Sequence, residues 1–400
     1  MTNVTAKENP AIDGRLSRVQ QGVATEVKAL VDGTGRIVLL DFTVGFLFIF
    51  RSVSLFSLPF ATIVLLLYVV FRSFKKTDYS VRCSGAVIAV FLVGAVYLLI
   101  VSVFVQEIDL QTYLQRMVRI LAIVFFALLI ADRRIDIRSL LLGFGVGLLF
   151  NATGFYAGIA PADYGEYLTG WIQDKNVAGL YHAVVSLLLF VFFTKTWQRT
   201  MIIVLALPLL WETGSRTSIG AFIIAMGWVL LARKISIVWK MALGGAVMWL
   251  FEWAQTNFAS SEVFGDRTGT DWFREQIDTA AWAKVQATPW YGQGLGEATV
   301  VFDNGSGQYF HNSFWTLFVE GGWPWLLAVL AITLVVVFFV RQENNSRRIG
   351  AEAAMVLLFV CSWRLGEVLL TMPWGLAFGL ALYYLSENKQ TRLYRTAYSR

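Results

Sequence analysis

His311 is the residue of this 400-residue chain whose type and position best suit acid–base chemistry. It opens the run His311-Asn312-Ser-Phe-Trp, where a polar stretch gives way to an apolar one. Imidazole titrates near neutral pH, so it can take a proton from a sugar hydroxyl while that hydroxyl attacks. The competing interpretation is a polar residue at a helix start. Asn312 offers an amide that would orient the ring or contact a sugar.

Three arginines indicate an anionic ligand. Arg216 follows Gly214 at the tip of a predicted helical hairpin, and Arg267 and Arg274 lie in a later polar loop. A guanidinium presents a planar fork of donors that matches phosphate oxygens. Arginine near a bilayer is costly and usually has a partner, so pairing with nearby carboxylates is the equally weighted alternative.

Other polar residues are weaker candidates. Lys175 and Asn176 stand in a short polar loop, where they would contact a phosphate or sugar, but helix capping by Asp174 or Asn176 explains the same pattern. Glu320 lies inside an apolar run and is a site candidate by default, with protonation or pairing to Arg364 as the alternatives.

A catalytic metal is not expected. Asp266 and Asp271 are the carboxylates that would suggest one, yet no Asp-x-Asp pair or His/carboxylate cluster accompanies them in the loop. His182 sits within an apolar run, where a buried, hydrogen-bonded histidine is the simpler interpretation. The sequence therefore predicts chemistry without a metal or other cofactor.

The composition indicates that the helices positioning these residues lie in a membrane. Hydrophobic residues make up 57% of the chain and charged residues 15%, whereas a soluble domain carries about 25% charged residues. Apolar blocks approach the roughly 18 residues that cross the hydrocarbon core. The net charge of +6 consequently reflects membrane orientation rather than nucleic-acid binding. The pattern predicts an all-α, polytopic membrane protein with about twelve transmembrane helices.

The organisation expected from these blocks is a tail over residues 1–36, a helical bundle over 37–386 and a second tail over 387–400. One long loop, 254–311, interrupts the bundle; it contains an amphipathic helical pattern over Asp271–Ala287 and a turn at Pro289-Trp-Tyr-Gly-Gln-Gly-Leu-Gly. The predicted spans are 37–50, 56–71, 83–105, 117–131, 137–158, 177–194, 198–212, 217–232, 235–253, 312–340, 349–364 and 367–386.

Lysine and arginine set the predicted orientation. With both termini in the cytoplasm, roughly 23 of these cations fall on the cytoplasmic side and about nine on the opposite side, as the positive-inside rule requires. The 254–311 loop and all the candidate residues named above except His182 and Glu320 then lie in or beside the periplasm. Glu320 would lie about two turns inside the membrane from His311.

The motifs together resemble the O-antigen ligase and polymerase superfamily. Gly214-Ser-Arg216-Thr resembles its arginine hairpin, Arg274 before the Pro289 turn resembles its loop, and His311-Asn312 with Glu320-Gly-Gly resembles its helix start. The resemblance covers about residues 37–386 and is greatest to the ligases. It implies a C-type membrane glycosyltransferase fold in a bacterial inner membrane.

The resemblance also implies a reaction. A glycan would move from undecaprenyl pyrophosphate to a sugar hydroxyl of lipid A-core, with His311 activating the acceptor and Arg216 with Arg274, Arg267 or both binding the pyrophosphate. An O-antigen polymerase, which joins lipid-linked repeat units, shares these features. A lipid-linked glycan flippase or secondary transporter is the alternative of another class, although it predicts a repeated half and mid-membrane charges on several helices.

Overall fold

The computed structural model describes residues 37–55, 58–81, 84–105, 110–232, 235–258, 268–302, 307–339 and 346–388. Contacts divide the chain into two compact units, Met1–Leu40 and Asp41–Arg400. The chain is mostly helical, with 73% of it in helices. The α-helices within the described residues are α1 (Leu39–Leu47), α2 (Phe60–Ser73), α3 (Ser84–Val105), α4 (Leu110–Ala131), α5 (Ile137–Tyr156), α6 (Lys175–Phe192), α7 (Thr196–Glu212), α8 (Arg216–Leu231), α9 (Ile237–Phe258), α10 (Thr268–Ala287), α11 (Ser313–Leu334), α12 (Ser346–Ser362) and α13 (Met372–Tyr383).

Short antiparallel strand pairs join some of the connecting segments. The pairs are β1 (Ser54–Leu55) with β2 (Leu58–Pro59), β3 (Tyr79–Val81) with β6 (Ser386–Asn388), and β4 (Thr299–Val301) with β5 (Gly307–Tyr309). A 3-10 turn (Gly170–Ile172) precedes α6, and a π-helical segment (Val335–Phe339) extends α11.

Each predicted span overlaps one of these helices, and α10 matches the amphipathic pattern of the long loop. The largest difference in a boundary is at α4, which begins at Leu110 instead of residue 117. Its first two turns contain the polar residues Gln115 and Arg116, which interrupt the apolar pattern. Arg116 takes part in the buried ion pairs described below.

Membrane character follows from the apolar helices. Five helices in the described part of the chain are long and apolar enough to cross a bilayer: Ser84–Val105, Gln111–Ala131, Ile137–Tyr156, Lys175–Phe192 and Ser313–Phe339. Three shorter apolar helices, α2, α8 and α13, accompany them. The protein therefore has the features of an all-α, multi-pass membrane protein.

Contacts between connecting segments define two ends of the bundle. At one end, the Arg51 amide donates to the Trp171 carbonyl (3.1 Å), the Leu168 amide to Glu212 (2.8 Å), and the Gly366 amide to His311 (2.8 Å). We call this the His311 end. At the opposite end, the Lys75 ammonium donates to the Arg134 carbonyl (2.9 Å) and β3 pairs with β6. Successive helices of the bundle therefore run in alternating directions.

A buried carboxylate joins helices near the opposite end. Asp41 accepts hydrogen bonds from the Tyr68 hydroxyl (2.6 Å) and the Asp136 amide (2.8 Å), and it forms an ion pair with Arg72. Asp41 is fully buried and Arg72 nearly so. A buried charge is tolerated when it is paired and hydrogen-bonded, so this group ties α1, α2 and the start of α5 together.

α11 is interrupted at Gly321-Gly322, where the Pro289 turn inserts. Gly322 has φ +62°, and a Cβ added there would lie 1.9 Å from the Trp290 carbonyl oxygen. A Cβ on Gly292 would similarly lie 2.7 Å from the Gly321 backbone. The Trp323 amide donates to the Trp290 carbonyl at 2.9 Å, which compensates for part of the broken helix. Glycine is required at this crossing because backbone meets backbone, and the crossing fixes the loop against the helix that follows His311.

Candidate functional site

The His311 ring contacts a carboxylate, and that carboxylate also contacts a guanidinium group. Its Nδ1 lies 3.2 Å from Oδ1 of Asp278 on α10, and Nη1 of Arg364 lies 3.8 Å from the other carboxylate oxygen. The His311 and Asp278 side chains are 22% and 24% exposed. In the neutral tautomer that donates from Nδ1 to the carboxylate, Nε2 remains a proton acceptor. The arrangement therefore suits a general base with a fixed ring.

The backbone around His311 explains its placement. Phe310 anchors the preceding strand in the interior, and Asn312 caps α11, its Oδ1 accepting from the Phe314 (2.9 Å) and Trp315 (3.2 Å) amides. Asn312 is buried and also bridges to Gly366. The amide oxygen of Asn312 thus serves the helix start, which is the capping geometry that the N-cap preference of asparagine predicts.

Arg216 is the first residue of α8, at the tight hairpin that the sequence predicts. Gly214 takes φ +62° to make the turn, and the Ser215 and Ser218 hydroxyls hydrogen-bond at 2.8 Å. A Cβ on Gly179 of α6 would lie 2.6 Å from Ser215 Cβ, so the hairpin packs tightly on α6. This packing leaves the Arg216 side chain half-buried.

A short series of contacts links this hairpin to the His311 region. Ser218, half a turn after Arg216, lies beside Cys361 near the end of α12, where α8 and α12 pack together. Three residues later, Arg364 contacts Asp278, the partner of His311. Arg216 and His311 therefore belong to the same end of the bundle.

Arg274 and Lys175 both approach Tyr164, in the segment between α5 and α6. Burial raises the pKa of the Tyr164 phenol above its usual value; Asp174 raises it further and Arg274 opposes the rise. The Lys175 ammonium lies 5.8 Å from the centre of the Tyr164 ring and 4.7 Å from that of Tyr167. The structure thus brings these two predicted cations to one aromatic patch.

α10 connects that patch to His311. Arg274 and Asp278 are four residues apart on it, about one helical turn, and so share a face. One residue interacts with Tyr164 and the other binds His311. Arg267 lies outside the described residues.

Of the two residues considered as caps of the helix that begins at Lys175, Asp174 is the one whose side chain caps it. Asp174 Oδ1 accepts from the Asn176 (2.7 Å) and Val177 (3.0 Å) amides at the start of α6. The Asn176 backbone is therefore part of the helix start, and its side chain is half-buried.

Glu320 has a different partner from the one expected. It forms an ion pair with Arg116 of α4, whose Nη2 donates to Oε2 at 2.8 Å, and Oε1 accepts from the Gly296 amide at 3.0 Å. Arg364, the partner expected from the sequence, contacts Asp278 instead. Glu320 is 1% exposed, so it stabilises the junction of α4, α11 and the Pro289 turn and is not a free substrate ligand.

Sequence reasoning missed several charged residues at this end. Arg116 also pairs with Glu367, whose second oxygen lies 3.4 Å from Nη2 of Arg119. Arg116 and Arg119 are three apart at the start of an apolar helix, the spacing of one helix face, and this was the signal available. Asp278 had a similar signal, one turn after Arg274 on the amphipathic α10. Neither spacing shows which residue would form the ion pair or hydrogen bond.

The other histidine of the chain, His182, lies in the protein interior. His182 is 2% exposed, as expected, but its Nε2 has no hydrogen-bond partner among the described residues, so the expected hydrogen bond is not found at that nitrogen. In the part of the chain that the structure describes, no three His, Cys, Asp or Glu side chains come together as a group that would hold a metal.

Comparison with known proteins adds no assignment to this geometry. Neither protein-family models nor curated protein sequences give a match to the chain.

Proposed function

We propose that this protein is a membrane glycosyltransferase of the O-antigen ligase type. It would transfer O-antigen polysaccharide from undecaprenyl pyrophosphate to a sugar hydroxyl of lipid A-core, without a metal, at the periplasmic face of a bacterial inner membrane. The single observation that supports this best is the His311–Asp278 contact at the end of the bundle that also carries Arg216, Arg274 and Lys175.

The proposed chemistry is an in-line displacement. The acceptor hydroxyl oxygen attacks the anomeric carbon and passes its proton to Nε2 of His311, while the bond from that carbon to the pyrophosphate oxygen breaks. The lipid pyrophosphate leaves with the bonding electrons, and the configuration inverts. Arg216 and Arg274 would neutralise the charge that grows on the leaving group, the kind of electrostatic stabilisation that lowers such barriers.

The membrane arrangement is part of the proposal. Twelve of the described helices, all but α10, would cross the bilayer, with both tails cytoplasmic and the His311 end in the periplasm. The alternation of helix direction agrees with this arrangement, and so does the positive-inside count. The 254–311 segment would then lie on the periplasmic side, where α10 and the Pro289 turn cover the helix ends.

The decisive experiment is a polysaccharide profile of a deletion strain complemented with the wild-type gene. A ligase restores long O-chains on lipid A-core, and the strain without it accumulates lipid-linked polymer. Single repeat units on the core in the deletion strain would indicate the polymerase instead. Vesicle transport of lipid-linked glycan by the purified protein, without any transfer, would support the flippase or transporter class and refute the proposal.

Asp278 has a predicted role as a positioning residue for His311. We expect Asp278→Asn to lower kcat for transfer by about ten- to a hundredfold with little change in KM, because an amide does not select the Nδ1–H tautomer as a carboxylate does. Asp278→Glu should recover part of the loss. Steady-state kinetics on purified protein measure both.

The matched control is Glu275→Gln, an exposed carboxylate on the same helix, which should keep wild-type kcat. Equal kcat values for Asp278→Asn and wild type would show that the His311 ring does not depend on this carboxylate.

A further inference from the structure

Two tryptophan rings meet where α10 crosses the start of α11, next to the contact between His311 and Asp278. The Trp282 and Trp315 ring centroids lie 5.4 Å apart, with 38° between the ring planes. Trp282 follows Asp278 by four residues on α10, and Trp315 follows His311 by four residues in the first turn of α11. Residues four apart share a helix face, so the ring pair and the polar pair are neighbours at the same crossing.

A second aromatic pair lies beside the same polar group. The Phe314 and Trp363 ring centroids are 5.9 Å apart. Trp363 directly precedes Arg364, whose guanidinium contacts Asp278, and its side chain is exposed. Aromatic rings therefore border the polar group that contains His311 on both α11 and α12.

The Trp282 ring is only partly covered by this packing. It is 47% exposed, whereas the preceding Ala281 is fully buried. α10 has five charged residues between Asp271 and Lys284, and Lys284 forms an ion pair with Glu297 at 3.2 Å. Charged side chains are costly among lipid acyl chains, so α10 does not lie in the hydrocarbon. The exposed surface of Trp282 is consequently available to a hydrated ligand.

A sugar ring matches this combination of groups. A pyranose presents C–H bonds on its face, and their partial positive charge is attracted to the negative face of an indole. Its hydroxyl groups project from the edge, where Asp278, His311 and Arg364 supply hydrogen-bond partners. Small-molecule sites typically combine aromatic walls with a few polar groups of this kind.

The order of residues along α10 indicates which sugar would bind. Arg274, Asp278 and Trp282 follow one another at intervals of four residues. Arg274 and Trp282 are thus about 12 Å apart along the helix axis, at a rise of about 1.5 Å per residue, with Asp278 between them. Because Arg274 is a proposed pyrophosphate ligand, the ring pair lies on the side of His311 away from the leaving group. That is the side from which the acceptor hydroxyl would approach.

We propose that Trp282 and Trp315 form a stacking site for the acceptor sugar ring of lipid A-core, beside His311 and Asp278. The identity of this sugar as the acceptor rests on the proposed function. Its binding to the ring pair can be measured without any transfer.

The test is calorimetric titration of the full-length protein in detergent with core oligosaccharide released from lipid A by mild acid. We expect Trp282→Leu to raise Kd about tenfold, which corresponds to about 1.4 kcal/mol, because leucine keeps apolar contact with Trp315 but has no ring face. Trp282→Tyr should keep most of the affinity. The matched control is Trp272→Leu, which replaces a 60% exposed tryptophan on the same helix and should leave Kd unchanged. Thermal unfolding of each variant checks that it is folded.

Transfer kinetics provide a second readout. In Trp282→Leu, KM for lipid A-core should rise by a similar factor, while kcat and KM for the lipid-linked donor stay at their wild-type values. Failure of the wild type to bind the oligosaccharide would overturn the stacking site, and so would an unchanged Kd in Trp282→Leu or equal losses in Trp282→Leu and Trp272→Leu. Binding that depends on Trp282 in a protein without transfer activity would support the site and refute the proposed function.

Discussion

His311→Ala should fold normally and lose glycan transfer by about 10²- to 10⁴-fold, the usual contribution of a general base. The substitution removes the proposed proton acceptor, while Asp278 keeps its contact with Arg364. Transfer is measured as polymer attached to the acceptor by purified protein, and folding is measured by thermal unfolding. Attachment at the wild-type rate would contradict the assignment of His311.

The other histidine of the chain provides the control. His182 is buried in α6, and its Nε2 has no hydrogen-bond partner among the described residues. Replacing a buried, unsatisfied polar group with an apolar one of similar shape is nearly neutral or stabilising. His182→Leu should therefore keep transfer and unfold at or above the wild-type temperature. If His182→Leu lost transfer and His311→Ala kept it, His311 would not be the general base.

Arg116→Met should produce the largest loss of stability, about 3–5 kcal/mol in the free energy of unfolding. Removing one partner of a buried pair leaves the other charge uncompensated, and Glu320 is 1% exposed. The Pro289 turn should loosen with it, because Oε1 of Glu320 accepts from the Gly296 amide. Unfolding followed by tryptophan fluorescence in detergent measures the change.

Two further variants identify the cause of that loss. Adding Glu320→Gln to Arg116→Met removes the unpaired charge and should recover part of the stability. Arg133→Met, just after α4, removes a cation that stacks on Tyr79 (3.8 Å) and Tyr383 (4.5 Å), at a cost nearer 1 kcal/mol. Equal losses for Arg116→Met and Arg133→Met would show that the buried pairing contributes little.

The Arg116 pairing also shows why part of the site was not predictable. An apolar run containing Glu320 shows that a buried carboxylate needs a partner, but it does not show which one. The partner lies 204 positions away on α4, and only helix packing selects it. Arg364 has the required positive charge and lies at the same end of the bundle, yet in the structure it contacts Asp278.

Local sequence did determine the helices and the turns. Apolar runs of span length can form only helices in a bilayer, since every backbone hydrogen bond must be made internally. Gly214 and the glycines of the Pro289 turn mark positions where positive φ is needed. The start of α4, from Leu110 to Arg116, lies outside the predicted span, because Gln111, Gln115 and Arg116 interrupt its apolar pattern. Arg116 pairs there with carboxylates that are distant in sequence.

The sequence by itself determined a mostly helical chain with apolar helices long enough to cross a membrane, and it placed His311, Arg216, Arg274 and Lys175 at helix ends and in the long loop. Periodicity, apolar length and turn chemistry are local properties. Only the tertiary structure decided that Asp278 holds His311 and that Arg116 pairs with Glu320. These pairings depend on which helices pack together, and long-range packing leaves no pattern in a single stretch of sequence.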